Sequence, residues 1–203
     1  MVREQEIFMY RYRLIQITCA LLLVLPVISE CTPDNTKAPT TDSGPVVNRA
    51  PYWCQLVSRE SLSKVTGVSQ KFTQVQEIDA QQPYSECEVR SQSQEPLIVE
   101  LAVDGRAEFL ANDEFKRPRS RIPLAKVLGR AGYAPLAGNS AYTAFAEFRC
   151  GGRSTWITVT VRPIARGRTA AKDLPELLKI AESRYADLAQ CVISDRPFLP
   201  SAS

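Results

Sequence analysis

Four cysteines set the tightest limit on how this chain can fold. Cys54, Cys87, Cys150 and Cys191 all lie beyond an apolar leader. In a chain that leaves the cytoplasm, an even number of cysteines forms disulfides, and four allow three connectivities. The pairing Cys54–Cys87 with Cys150–Cys191 is the expected one. It keeps each bond within one half of the domain and staples a helix, or its flank, to a strand. Each bond would close a loop of about 30–40 residues, worth about 3–4 kcal/mol in the chain-entropy description. A zinc site built from four cysteines needs close pairs such as C-x-x-C, and the sequence has none.

The leader supplies the compartment. Arg11 and Arg13 precede a run from Leu14 to Ile28 that is apolar except for Gln16 and Thr18. At about 15 residues it is short for a membrane span, which takes about 20, and it suits the core of a signal peptide. Glu4 and Glu6 are unusual in such a leader, and a start at Met9 would give a more ordinary one. Residues 1–30 therefore read as an export signal. Cys31 stands where a bacterial lipoprotein carries its lipidated cysteine, which makes it the expected lipid anchor. Glu30, however, occupies the place of the small residue that precedes such a cysteine. Cleavage after Ser29, with Val27 and Ser29 as the small −3/−1 pair, is the competing reading. A third reading leaves the leader uncleaved as an anchor, and all three put the rest of the chain outside the cytoplasm. From residue 31 to residue 51, Thr, Pro, Asp, Asn, Ser and Gly dominate, as in a flexible tether.

The chain contains no histidine. That excludes Ser-His-Asp and Cys-His catalysis and every histidine-containing zinc site. No cofactor motif appears, and no metal site is expected. With 25 Lys and Arg against 22 Asp and Glu, the formal charge is only +3. That modest charge and the export signal both argue against a nucleic-acid partner.

Residues 52–195 carry the periodicities of one domain, and 196–203 read as a tail. Ser58 is the expected N-cap of a short helix that stops at Gly67. The runs Phe72–Ile78, Ser85–Ser91 and Pro96–Asp104 read as an antiparallel meander. Ala107–Phe115 reads as a helix with Phe109, Leu110 and Phe115 inward. A connection rich in Gly and Pro then runs to Asn139. Tyr142–Phe148 and Ser154–Arg162 flank Gly151-Gly152, a strong hairpin signal. Asp173 and Glu176 suggest a capping box ahead of a helix with Leu174, Leu177, Leu178, Ala181, Tyr185, Leu188, Ala189 and Val192 on one face. The expected fold is α+β, an antiparallel sheet with helices packed on one face, stapled by two disulfides.

Three stretches resemble an actinobacterial family of exported lipoproteins with a domain of unknown function. The first is Cys54-Gln55-Leu56-Val57-Ser58 with the helix ending at Gly67. The second is Tyr84-Ser85-Glu86-Cys87. The third is Pro135-Leu136-Ala137-Gly138-Asn139-Ser140-Ala141-Tyr142 before the late hairpin. Glu88 stands where that family usually has an aromatic residue. The resemblance implies a lipid-anchored or secreted envelope protein and carries over no catalytic residue.

Among chemical candidates, Ser61-Leu62-Ser63-Lys64 matches the S-x-x-K nucleophile motif without its partner elements. The carboxylate pairs Asp104/Glu108 and Asp113/Glu114 read as solvated helix edges. The basic run Lys116, Arg117, Arg119 and Arg121 is the candidate contact for an anionic lipid or cell-wall polymer. A second basic set is Arg162, Arg166, Arg168 and Lys172. The expected function is a non-enzymatic binding domain for a small ligand or an envelope protein. The alternatives are a secreted hydrolase using carboxylates or a Ser-Lys pair, and a partner-docking or inhibitory subunit.

Overall fold

The computed structural model describes residues 44–68, 71–91, 94–117, 120–122, 127–136 and 141–194. The leader, Cys31, the first part of the tether, Arg119 and the tail fall outside these residues. The domain begins with a two-stranded ribbon, β1 (Tyr52–Trp53) and β2 (Val57–Ser58). Its turn places Cys54 and Gln55 in the left-handed region, at φ 52° and 60°. That conformation costs a non-glycine residue about 1–2 kcal/mol. Two attachments hold the turn: the Cys54–Cys87 bond and a hydrogen bond from the Cys54 amide to Gln74 Oε1 at 2.8 Å. Helix α1 (Arg59–Thr66) follows directly. Ser58 caps it, and Gly67, at φ 68°, ends it by donating its amide to the Ser63 carbonyl. Both ends match the sequence expectation.

Next come β3 (Thr73–Gln74), β4 (Tyr84–Arg90), β5 (Leu97–Val103) and helix α2 (Gly105–Lys116). Then follow β6 (Ser120–Arg121), β7 (Arg130–Pro135), β8 (Tyr142–Cys150), β9 (Arg153–Val161), helix α3 (Ala170–Ala189) and β10 (Ile193–Ser194). The main sheet is antiparallel, in the order β3-β4-β5-β9-β8-β7-β6, with β10 beside the end of β8. The fold class is thus α+β with two disulfides. Cys54–Cys87 and Cys150–Cys191 bring their Cα atoms to 5.7 and 5.4 Å, within the usual range for the bond.

Alternation along the strands separates the two faces of the sheet. Leu97, Val99, Leu101, Ala144, Ala146, Phe148, Ile157 and Val159 point to one face. Leu62 and Val65 of α1 and Leu174, Leu177, Leu178 and Tyr185 of α3 pack on them. These two helices share one face, as expected. Helix α2 does not: it lies on the opposite face, over Ala102, Phe145 and Trp156. Phe145 and Trp156 stack there, with centroids 5.3 Å apart, and Phe115 meets both edge-on. These rings fill the space, so the helix residues directly above them are small, Ala107 and Ala111. Leu110 and Phe115 join that side, and Phe109 points away, 63% exposed. The inward Phe109 of the sequence reading is therefore corrected.

Other expectations shift as well. Of the run Phe72–Ile78, only Thr73 and Gln74 pair as a strand. Within the Gly- and Pro-rich stretch expected as a connection lies a strand, β7, paired with β8 from Arg130↔Glu147 to Pro135↔Tyr142. It is entered through Gly129, at φ +74°, where an added Cβ would stand 2.0 Å from the Glu147 carbonyl oxygen. Only glycine fits that approach. Helix α3 starts three residues ahead of the expected capping box, after Thr169, and ends at Ala189, so Val192, expected on its apolar face, is left 83% exposed. Asp173 is buried and pairs with Arg168 instead (2.6 and 2.8 Å). The end of the segment read as tether also belongs to the domain. Val47 exchanges hydrogen bonds with the Ser61 hydroxyl in both directions (2.7 and 2.8 Å), Arg168 donates to the Gly44 carbonyl at 2.9 Å, and Val46 packs on the core.

Candidate interaction surface

The face that carries α2 is polar where the helix leaves it uncovered. Register places Glu86 of β4 directly opposite Glu100 of β5. Like charges in that position repel and weaken a sheet. Tyr84, two residues before Glu86, projects on the same side. Its hydroxyl lies 2.9 Å from Glu86 Oε2 and 2.9 Å from Glu100 Oε1. A tyrosine hydroxyl has one proton, so it serves one carboxylate at a time. Thr158 of β9 donates to the other oxygen of Glu100 at 2.7 Å. Burial, followed by the charge of Glu100 and its hydrogen-bonded neighbours, pushes the Tyr84 phenol well above its ordinary value. The hydroxyl therefore stays protonated and remains a donor.

Above Tyr84 sits Arg106, in the first turn of α2. Its guanidinium carbon lies 5.5 Å from the Tyr84 ring and 5.5 Å from the Phe109 ring. Both distances fall within cation–π range. Tyr84 is 38% exposed, so both rings offer surface to solvent. Among the described residues, no carboxylate pairs with Arg106 and no cation reaches Glu86 or Glu100. On the other flank of Tyr84 an open recess of about 550 Å³ is lined by Gln76, Glu77, Asp79, Gln82, Ser85 and Glu86. A smaller recess of about 290 Å³ continues along Gln74, Val75, Gln76 and Glu77 to Trp53 and Arg59. Val75 is exposed there, while Arg59 covers the Trp53 ring at 4.0 Å.

Next to this surface, beneath the far end of α2, lies a second polar group. Glu147 is buried beside Trp156, its register partner on β9. Arg130 donates to Glu147 Oε2 through Nε at 2.9 Å and covers the Phe115 ring at 4.4 Å. Burial raises the Glu147 carboxyl above its ordinary value, and Arg130 opposes that shift. The ion pair joins β7 to β8, and its Arg130 reaches α2 through the Phe115 ring.

The residues singled out from the sequence are distributed differently. Lys116 and Arg117 end α2, and Arg117 is engaged by Asp113 at 2.5 Å and Glu114 at 3.3 Å on its own helix. Spacings of three and four residues put those carboxylates beside it. Arg121 pairs with Gly132 in the edge strand β6, and Arg119 falls outside the described residues. Of the second basic set, Arg168 is buried in its pair with Asp173, while Arg166 and Lys172 are exposed. Ser61 of the S-x-x-K motif holds Val47 with its hydroxyl, and Lys64 pairs with Glu60 at 2.9 Å. Asp104 pairs with Arg153. Sequence reading missed Tyr84, Glu86, Glu100, Arg106 and Phe109 as a group. One signal was present: Glu100 is the only charged residue in the otherwise apolar strand Leu97–Val103.

Set against known proteins, the chain matches no family model, and no curated protein or solved structure shows significant similarity to it.

Proposed function

We propose that this chain is an exported envelope protein, anchored through Cys31, whose stapled domain binds a partner through the surface around Tyr84, Arg106 and Phe109. The two disulfides carry the reading. Such bonds persist outside the reducing cytoplasm, and here they tie the first turn to β4 and the last helix to β8. The leader ahead of Cys31 and the resemblance to exported lipoproteins support the same compartment. For binding, the support is the type of exposed side chain. Tyr, Phe and Arg are enriched in interface cores, and Tyr and Arg recur among the residues that carry most of the binding energy. The recess beside them is open, unlike the enclosed pockets that hold small ligands. A docked macromolecule suits it better.

The test is intact mass spectrometry of the chain extracted from fractionated cells, with and without reduction. The expected result is an envelope fraction, a mass gain on Cys31 corresponding to lipid, and two disulfides. A cytoplasmic protein with four free thiols would overturn the reading.

A further inference from the structure

The same surface has a sign, and the sign narrows the partner. The carboxylates of Glu77, Asp79, Glu86 and Glu100 gather around Tyr84, with Arg106 over the Tyr84 ring and Arg59 at the far end of the recess beyond Glu77. This local excess of negative charge lies on a chain whose overall charge is +3. Glu88 is already neutralised by Arg90, and Arg117 by its own helix. The facing pair Glu86 and Glu100 has no such partner among the described residues. Its repulsion is eased only by neutral donors, the Thr158 hydroxyl on Glu100 and a Tyr84 proton that cannot serve both carboxylates at once. A cation arriving between them would remove that repulsion and gain the Tyr84 ring face. Beside the pair, Phe109 is a large apolar ring that folding leaves bare, because stacked Phe145 and Trp156 occupy the space beneath the helix.

We propose that this face docks a basic segment of a partner protein, one that presents a lysine or arginine next to an apolar side chain. The cation sits against Tyr84, Glu86 and Glu100, and the apolar side chain packs on Phe109 beside Arg106. Glu77 and Asp79 line the recess along which a second basic residue lies. A free small cation would leave Phe109 without a role, and an anionic polymer would meet the wrong charge. The proposal rests on the binding reading above and not on the compartment.

The probe is a capped Lys-Phe-Lys-Ser-Lys peptide, titrated into the ¹⁵N-labelled full-length chain in detergent with both disulfides formed. The control is the capped Glu-Phe-Glu-Ser-Glu peptide. The expected result is saturable amide shifts centred on Tyr84, Glu86, Glu100, Arg106 and Phe109, with none from the control. Binding should weaken about fivefold or more in Glu86→Gln/Glu100→Gln and with rising salt. Phe109→Ser should weaken it independently of salt. Glu86 and Glu100 are half-buried and Phe109 is exposed, and unchanged shifts elsewhere in the spectrum verify the fold. Shifts spread over every acidic patch, or variants that bind like the parent, overturn the proposal. Peptide binding by a protein found in the cytoplasm would overturn the compartment and leave this inference standing. Absence of binding by an envelope protein would do the reverse.

Discussion

The pair Arg168–Asp173 gives the most demanding test of the packing. Its side chains are 5% and 2% exposed, and two parallel hydrogen bonds of 2.6 and 2.8 Å join them. Arg168 also reaches the Gly44 carbonyl, so one guanidinium joins the N-terminal strap to the start of α3. In Asp173→Asn the shape is kept and the negative charge is lost. Arg168 cannot deprotonate, and it stays buried with the Asp173 carboxylate gone. Breaking a buried pair in this way costs about 3–5 kcal/mol. Against a typical total of about 5–15 kcal/mol, that is roughly a fifth of the stability or more. Urea unfolding at pH 7, with both disulfides intact, should show the loss as a lower midpoint at unchanged slope. The Val47 amide, which donates to Ser61 Oγ, should lose hydrogen-exchange protection in the same variant. In the double variant Arg168→Met/Asp173→Leu no charge is left stranded, and most of the loss should be recovered. A cost under about 1 kcal/mol for Asp173→Asn would place it among ordinary surface changes. The pair would then be solvated, and the claim that it holds the strap would fail.

Three further outcomes follow from the geometry. Gly129→Ala should cost about 2–4 kcal/mol, because its Cβ would collide with the Glu147 carbonyl at a positive φ; a melting temperature within 2 °C of the parent, on the order of one kcal/mol or less, would refute the need for glycine. Replacing Cys54 and Cys87 together by Ser should cost about 4 kcal/mol for the loop they close, read by urea unfolding, and an unchanged midpoint would mean that the bond does not constrain the unfolded chain. Glu147 has its carboxyl raised by burial, so the native state holds its proton more tightly than the unfolded chain does. Its contribution is therefore fullest below the ordinary glutamate range and is lost as pH rises through the native value. The stability difference between the parent and Glu147→Gln should shift in the parent's favour on acidification, and a difference independent of pH would refute the shift.

What the sequence made legible was whatever repeats locally. The hairpin β8–β9 announces itself through strict alternation on either side of Gly151-Gly152, and α3 through apolar residues at i, i+3 and i+4. The cysteine pairing followed from keeping each bond within one half. The missed features depend on partners distant in sequence. Strand β7 was hidden because Gly132 and Pro135 read as breakers, yet Gly132 faces the bulky Phe145 across the register and Pro135 stands at the strand's end. Nothing along Gly105–Lys116 says which face of the sheet it will cover, although Ala107, Leu110, Ala111 and Phe115 do share one helical side. The surface around Tyr84 joins β4, β5 and α2, and only the register Glu86↔Glu100 brings its charges together. Arg168 and Arg117 looked like surface cations because sequence does not show a carboxylate folding back onto them.

The strand order has a consequence for assembly. Strands β3 to β5 form one antiparallel meander and β6 to β9 another, and they meet along the seam β5–β9, where Val99 pairs with Val159. Each meander has its own disulfide, and neither bond crosses the seam. The covalent connection between the two halves runs through α2 and the chain after it. Two copies could therefore trade halves, β5 of one closing on β9 of the other, without breaking a single covalent bond. Exchange of that kind is a low-cost route from monomer to dimer. The covalent staples secure each half, while hydrogen bonds and packing along the seam decide whether the halves of one molecule stay together.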